Sequence, residues 1–461
     1  MFSSPRFACR LSAASAWAST EPISPRFIAC RRIDGKIHLH KKLPRILIFF
    51  ATAWTVTSWM FLVDTNLFSH REKFQESDFI MTFYVAGRLV SGGRNSELYP
   101  APHADSFANS PFDHAAHEFL PHLPKASTGA YMYIPLVAGF FAPLSLAGPN
   151  LSLFIWQTLS VLALAFSCWV MAQITATKTS NIFFLSSLYG PVFLTLWAGQ
   201  LGLGFGLAPL CAGYYLLLRQ RPLAAGLVWS LLLLKPQYFL AAAFVALILA
   251  IIGRYRPFFG MTMGLAILLA LTVLIFSPEL TTQWLLSHRV SDATYSGGLH
   301  AIPAHLITGL PANLMILFPP SVRGVLKWPL YAGAALLWIA GLWYGVKLAR
   351  AGLDEGTWIS LALVTGVWLC SLTLPHLLYY DLCVLMPAGA LLLGKNGPLP
   401  AGQWFRRIGL AGWVVVSAFL PLLLTFTEQK LLPLILEVIL LILLGAFLRL
   451  TAPRQFPALG V

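Results

Sequence analysis

An acidic residue opens a short amphipathic stretch in the first third of the chain. Residues 77–90 place apolar side chains at helical spacing with one polar face, which predicts a surface helix. Asp78 begins this helix. An aspartate there either caps the helix or supplies a carboxylate for acid–base chemistry. The turn over residues 92–100 follows and ends near an aromatic anchor, Tyr99.

Two polar residues interrupt long apolar runs. Lys235 and Pro236 separate one pair of runs, and Gln200 follows Gly199 in a turn between another pair. The lysine either extends its ammonium to nearby water or binds an anion, for which a lipid phosphate is the obvious candidate in a membrane. Gln200 is either an ordinary polar turn residue or an amide that hydrogen-bonds a ligand.

A histidine and an aspartate enter a late apolar run together. His376 and Asp381 lie five residues apart in a segment that is otherwise almost entirely apolar. They form either a mutually paired His–Asp at a helix start or part of a functional site, because ionisable groups are costly inside a bilayer.

Other familiar signatures are missing or weak. His114, His117 and His122 form a local cluster, and His114 and His117 have a spacing that can bind Zn²⁺. The spacing places no third ligand, so a solvated loop is favoured and no metal is predicted. The sequence contains no phosphate-binding loop, dinucleotide fingerprint or nucleophile elbow. No cofactor is therefore predicted.

The composition indicates whether these residues belong to a soluble protein or to a membrane protein. Of the 461 residues, 57% are apolar and 10% are charged, against ~45–50% and ~25% in soluble domains. This excludes an ordinary soluble enzyme and a disordered chain, and it predicts an all-α polytopic membrane protein. The net charge of +14 is expected to reflect membrane topology and not nucleic-acid binding.

Apolar runs approach the ~20 residues of a membrane helix at about twelve places. The predicted spans are 44–63, 150–173, 181–198, 201–218, 222–235, 237–252, 257–276, 328–349, 357–374, 378–394, 407–426 and 431–450. A thirteenth run, 131–147, is short and contains Pro135 and Pro143, so it is predicted to be a juxtamembrane or re-entrant helix.

Basic residues orient the chain. With twelve spans, the Lys- and Arg-rich segments alternate onto one side, which predicts a multi-pass protein of the cell (inner) membrane with both termini cytoplasmic. Residues 1–43 form the predicted disordered basic tail, and 44–461 the transmembrane domain. Two long loops, 64–130 and 277–327, then face the extracytoplasmic side together with most acidic residues and histidines.

The polar residues resemble, in order, those of glycosyltransferase family 87, the polyprenol-phosphate-mannose-dependent mannosyltransferases of the GT-C class. The resemblance covers residues 78–381 and rests on short motifs. They are Asp78 with Gly92-Gly93 and Leu98-Tyr99, the segment with Tyr131, Tyr133, Pro135 and Pro143, the sets Gly199-Gln200, Ala225-Gly226 and Lys235-Pro236, and the late Pro375-His376 with Tyr380-Asp381. The family often has a double proline where this chain has Ile134-Pro135.

The resemblance implies a GT-C-like fold and roles for these residues. Asp78 would be the general base, and Lys235, with Arg88, would stabilise the leaving polyprenyl phosphate. His376 would orient the phosphate or sugar, and Asp381 would hold His376 in its working tautomer. Gln200, Tyr99 and Tyr380 would also contact substrate.

The implied reaction moves a hexose, expected to be mannose, to a hydroxyl of a glycan or glycolipid acceptor, with inversion, on the extracytoplasmic face. The alternative is a lipid flippase or secondary transporter without chemistry. Such transporters have paired internal repeats, and none is visible here. A related GT-C enzyme that uses another sugar, or a lipid-linked oligosaccharide ligase, is a third possibility.

Overall fold

A computed structural model describes most of the chain. It covers residues 53, 56–57, 59–64, 77–297, 304–394, 397–399 and 402–452. The predicted tail 1–43 lies outside the described residues, and so does much of the predicted span 44–63.

Between residues 77 and 297 the described chain contains eleven helices, several of them short, besides a single 3-10 turn at Asn95–Glu97. These are α1 (Phe79–Ser91), α2 (Pro111–Phe119), α3 (Pro135–Ser145), α4 (Pro149–Thr175), α5 (Thr179–Ser187), α6 (Gly190–Ala198), α7 (Gly202–Leu218), α8 (Pro222–Leu234), α9 (Pro236–Ile251), α10 (Arg256–Phe276) and α11 (Pro278–Gly297). A proline opens six of them, where its missing N–H costs nothing and its fixed φ suits the first turn.

The second part adds a small antiparallel ribbon to six further helices. In order these are β1 (Ile307–Thr308), α12 (Leu310–Ile316), α13 (Pro320–Arg350), α14 (Glu355–Thr373), β2 (Leu377–Leu378), α15 (Tyr379–Leu393), α16 (Gln403–Thr425) and α17 (Leu431–Leu450). In the ribbon, Ile307 pairs with Leu378 and Thr308 with Leu377. The predicted all-α class is confirmed, since these two strands of two residues each are the only strands among the described residues.

Among the described residues, the predicted spans are long helices, one bent pair of helices, or short helices. Within the described residues, α4, α10, α13, α14, α16 and α17 are long and apolar enough to cross a membrane. The predicted span 181–198 is instead two helices, α5 and α6, bent by 71° at their junction. The predicted spans 201–218, 222–235, 237–252 and 378–394 are helices of 10 to 17 residues. These findings support a polytopic membrane protein, and the number twelve stays a prediction.

Short helices have local causes. Gly199 ends α6 in the left-handed region at φ +67°, and Lys235 with Pro236 separates α8 from α9. Helix α3 has 11 residues and is too short to cross the ~30 Å hydrocarbon core at ~1.5 Å per residue, as expected for the run 131–147. The polypeptide therefore breaks at the same positions where polar residues interrupt the apolar runs.

Two buried clusters hold the described helices together. One unites the long helices around α14, which is almost entirely buried, whereas α13 lies at the periphery. The other joins α1, α2 and α3 with Trp156 of α4 and with Phe276, Leu280 and Trp284 near the junction of α10 and α11. Residues 77–130, the described part of the first predicted outer loop, thus pack with α3 around an aromatic core.

Helices α8 and α10 cross at glycines. A Cβ atom on Gly226 would lie 2.0 Å from the carbonyl oxygen of Pro257, and one on Gly260 would lie 2.3 Å from that of Leu223. Both distances are far below contact distance to backbone atoms that have no freedom to move aside. The close approach of these two helices therefore requires glycine on each.

We expect Gly226→Ala to destabilise the protein by about 1–3 kcal/mol, because the added methyl overpacks a backbone contact. Gly333→Ala is the matched control, since no heavy atom lies within 4 Å of its Cβ position in helix α13. There, alanine should be neutral or slightly stabilising. Unfolding of the purified protein in detergent measures both, and a Gly226→Ala variant as stable as wild type would contradict this packing.

Candidate active site

The polar residues predicted from the sequence meet where several short helices begin or end. Asp78 precedes α1, Gln200 lies between α6 and α7, and Lys235 lies between α8 and α9. Tyr380 and Asp381 belong to the first turn of α15. Four separate parts of the chain therefore contribute side chains to one cluster.

Asp78 is held by two side-chain hydrogen bonds. The amide of Gln200 donates to Asp78 Oδ2 at 2.7 Å, and the Tyr380 hydroxyl also donates to this carboxylate. The Asp78 side chain forms no cap hydrogen bond to its own helix. Asp78 therefore does not cap its helix with its side chain, and its carboxylate bonds to the cluster instead.

Gly199 explains how Gln200 reaches Asp78. A Cβ atom on Gly199 would lie 2.6 Å from both Phe79 Cβ and Leu153 Cδ1, so the turn packs directly against the start of α1. Trp156 Nε1 donates to the Gly199 carbonyl oxygen at 2.9 Å. Positive φ and close approach together require glycine at this position, and they place the next residue beside Asp78.

A buried ion pair lies next to Asp78. Lys235 Nζ is 2.8 Å from Asp381 Oδ1, and the two side chains are 1% and 3% exposed. The other oxygen, Asp381 Oδ2, accepts a hydrogen bond from the Leu378 N–H at 3.2 Å. The expected partner of Asp381 was His376. The structure gives Asp381 a different one, because the turn from β2 into α15 directs its carboxylate toward Lys235.

Two tyrosines cover the ammonium of Lys235. The rings of Tyr133 and Tyr380 lie 5.7 and 5.5 Å from Nζ, within the range of cation–π attraction, and Nζ donates to the Tyr133 hydroxyl at 3.4 Å. Tyr99 does not reach the cluster but donates to the Tyr133 carbonyl oxygen at 2.5 Å. Tyr133 was absent from the predicted site residues, although its place in the tyrosine- and proline-containing segment was a usable signal.

Two further predicted residues have other contacts in the structure. His376 is half-buried immediately before β2, and its charge interacts with that of His288 in α11, whose pKa is lowered by burial and then by His376. Arg88 lies over the ring of Phe119, 5.6 Å from its centre. The structure thus joins Asp78, Gln200, Tyr380, Lys235 and Asp381, and gives His376 and Arg88 other neighbours.

Within the described residues, no group of three or more His, Cys, Asp and Glu side chains is arranged to hold a metal ion. His117, from the histidine cluster, contacts the Ser127 carbonyl oxygen at 3.0 Å through Nε2.

The environment makes Asp78 a stronger base than an exposed aspartate. Burial of its carboxylate is the largest influence and raises the pKa above its ordinary value, while hydrogen bonds from Gln200 and Tyr380 and the charge of Lys235 oppose this rise. A carboxylate with a raised pKa that is held by neutral donors suits proton abstraction.

Comparison with known families identifies the class of enzyme. The chain matches glycosyltransferase family 87 over residues 131–375, which is more than half of its length. The chain belongs to glycosyltransferase family 87. The resemblance seen in the motifs is thereby confirmed, and the protein is a membrane glycosyltransferase that acts on a sugar donor and an acceptor. Neither a comparison with curated proteins nor one with solved structures gave a match.

The matched region of this family 87 transferase includes Gln200, Lys235 and Tyr133. Asp78 precedes it, and Tyr380 and Asp381 follow it. The structure therefore assembles its candidate site partly from residues outside the matched segment.

We expect Lys235→Met or Asp381→Asn alone to lower the free energy of unfolding by about 3–5 kcal/mol, because each leaves a buried charge unpaired. The double variant should lose clearly less than the sum, since no unpaired charge remains. Thermal unfolding in detergent measures this coupling.

The pair Arg254–Glu355, with side chains 51% and 34% exposed, is the control. Its single variants should change stability by no more than about 1 kcal/mol. Strictly additive losses at Lys235 and Asp381 would refute a buried pair.

Proposed function

We propose that this protein transfers a hexose, most simply mannose, from a polyprenyl-phosphate donor to an acceptor hydroxyl on the extracytoplasmic face of the cell membrane, with inversion. The observation that carries the proposal is the Asp78 carboxylate, which Gln200 and Tyr380 hold beside Lys235. The acceptor is a glycan or glycolipid. No nucleotide site is needed, because the donor is itself a lipid.

Asp78 is the proposed general base. Its carboxylate takes the proton of the acceptor hydroxyl while the hydroxyl oxygen forms a bond to the anomeric carbon of the sugar. The bond from that carbon to the phosphate oxygen breaks on the opposite face, and polyprenyl phosphate leaves with the electron pair. One displacement of this kind inverts the anomeric centre.

Lys235 supplies the positive charge for the leaving phosphate. An ammonium has three donors, of which Asp381 and the Tyr133 hydroxyl take two. Direct contact with phosphate requires Tyr133 or Tyr380 to move aside, because Lys235 is 1% exposed. Fixed charge aimed at a developing anion in a dry site is among the largest catalytic effects.

The remaining predicted residues have supporting places in the proposal. In the proposal, His376 contacts the sugar or phosphate of the bound donor, and Arg88, which lies over the ring of Phe119, adds positive charge. Tyr99 supports Tyr133 from behind through its hydrogen bond. Both chain termini are proposed to be cytoplasmic, since the cationic loops fall on that side.

Membership of family 87 favours this function over the flippase or transporter alternative. A half-buried base and a buried cation, held by several hydrogen bonds, also exceed what lipid passage alone needs. A transferase that uses another lipid-linked sugar fits the same geometry, so the assay below includes more than one donor.

We expect Asp78→Asn to lower the rate of sugar transfer about 10²–10⁴-fold, because a neutral amide cannot take the hydroxyl proton. The assay uses proteoliposomes with polyprenyl-phosphate-mannose, polyprenyl-phosphate-glucose or polyprenyl-phosphate-arabinose and a mixed glycolipid acceptor. Asp105→Asn, at an exposed acid in the same loop, is the matched control and should transfer at the wild-type rate.

Unchanged transfer by Asp78→Asn would remove Asp78 as the base. Absence of transfer from every donor by wild type, together with movement of labelled lipid across the bilayer, would favour the flippase.

We expect the rate of transfer to fall at low pH with an apparent pKa above the ordinary aspartate value, because burial raises the pKa of Asp78 and the base acts only when deprotonated. Gln200→Leu removes a hydrogen bond that favours the charged form, so it should raise that pKa further and move the acidic limb of kcat/KM to higher pH. An acidic limb that stays in place or moves to lower pH in this variant would contradict the assignment.

A further inference from the structure

A buried carboxylate outside the candidate site remains without a role in the proposed reaction. Glu437 lies in the second turn of α17 and is 1% exposed. Acidic residues are rare in membrane helices and usually functional. Among the described residues, no lysine, arginine or histidine forms an ion pair with Glu437.

Glu437 binds the start of α12 through one oxygen. Glu437 Oε1 accepts hydrogen bonds from the Gly309 N–H and from Asn313 Nδ2, the latter at 2.7 Å. Glu437 Oε2 has no hydrogen-bond partner among the described residues. The carboxylate thus accepts hydrogen bonds from the turn at Gly309 and Asn313. This role requires an acceptor oxygen and does not require a negative charge.

Gly309 connects this anchor to the segment before His376. Its φ of +110° and its close approach to Leu374, where a Cβ atom would lie 2.0 Å from the carbonyl oxygen, both require glycine. The preceding residues form β1, which pairs with β2 in the register Ile307 to Leu378. Glu437 therefore fixes both contacts that hold the chain around Pro375 and His376.

The same ribbon leads to the ion pair. Leu378, in β2, donates its N–H to Asp381, and Asp381 in turn pairs with Lys235. An uninterrupted series of contacts runs from Glu437 through Gly309, β1 and β2 to the candidate site. Each step is a hydrogen bond or a backbone contact that tolerates little displacement.

We propose that Glu437 is a positioning residue for the transferase site, holding the β1–β2 ribbon in the register that places His376 and Asp381. The inference rests on the proposed function for its catalytic consequence. A displacement of ~1 Å in a catalytic group can cost ~10²-fold in rate, so a remote anchor of the ribbon is expected to control kcat and not donor binding.

The test compares Glu437→Leu, Glu437→Gln and Leu440→Ala in the full-length protein in nanodiscs. Hydrogen exchange of peptides covering residues 304–316 and 374–382 reports on the ribbon independently of activity. Leu440 is 1% exposed and lies one turn further along α17, so Leu440→Ala controls for general loss of packing in that helix.

For Glu437→Leu we expect exchange in both peptides to accelerate about tenfold and kcat to fall about 10- to 100-fold with KM for the donor nearly unchanged. Glu437→Gln keeps an acceptor oxygen and should stay within about threefold of wild type in exchange and kcat. Leu440→Ala should lower thermal stability without selectively accelerating exchange in these peptides.

Asn313→Ala removes one of the two hydrogen-bond donors to Glu437 and replaces Glu437→Leu in the test if that variant does not fold. It should shift exchange and kcat in the same direction by about threefold.

Wild-type exchange in Glu437→Leu, or accelerated exchange with unchanged kcat, would overturn the proposal. Equal losses in Glu437→Gln and Glu437→Leu would also overturn it, because the role would then lie in the charge. If wild type transfers no lipid-linked sugar, the proposed function fails, while the exchange data still decide whether Glu437 holds the ribbon.

Discussion

A lysine and an aspartate that are 1% and 3% exposed can keep their charges inside this protein only as partners. Most other features of the candidate site follow from this constraint. Lys235 must end one helix and begin another to direct its ammonium inward, and Asp381 must lie in the first turn of α15. Tyr133 and Tyr380 then exclude water and add cation–π attraction.

Asp78 depends on the ion pair in another way. The charge of Asp381 disfavours the ionised form of Asp78, whereas hydrogen bonds from Gln200 and Tyr380 and the positive charge of Lys235 favour it. The result is a base of raised pKa next to a cation. That combination suits the proposed reaction, in which an alcohol is deprotonated and a phosphate leaves.

Breaks between short helices place the polar side chains of the site inside an otherwise apolar helical bundle. Four short helices and one bent pair replace what the apolar runs alone suggest to be full spans. Non-helical backbone in a membrane protein persists where protein buries it, and here the breaks at Gly199–Gln200 and at Lys235–Pro236 bring polar side chains to the cluster. A buried polar side chain also contacts interrupted backbone at the ribbon, where the Glu437 carboxylate accepts a hydrogen bond from the Gly309 N–H.

Much of this was readable in the sequence. Scarce charge and long apolar runs predicted the membrane class, and Lys235 and Asp381 were found because an ionisable group in an apolar run is costly. Asp78 was found at the start of an amphipathic helix, and Gln200 in a turn between two apolar runs. The sequence did not show which of these residues contact one another. Asp381 lies five residues from His376 yet pairs with Lys235, 146 positions earlier in the chain. Tertiary packing alone decided this, because helix ends and turns set the direction of a side chain, and spacing along the chain does not.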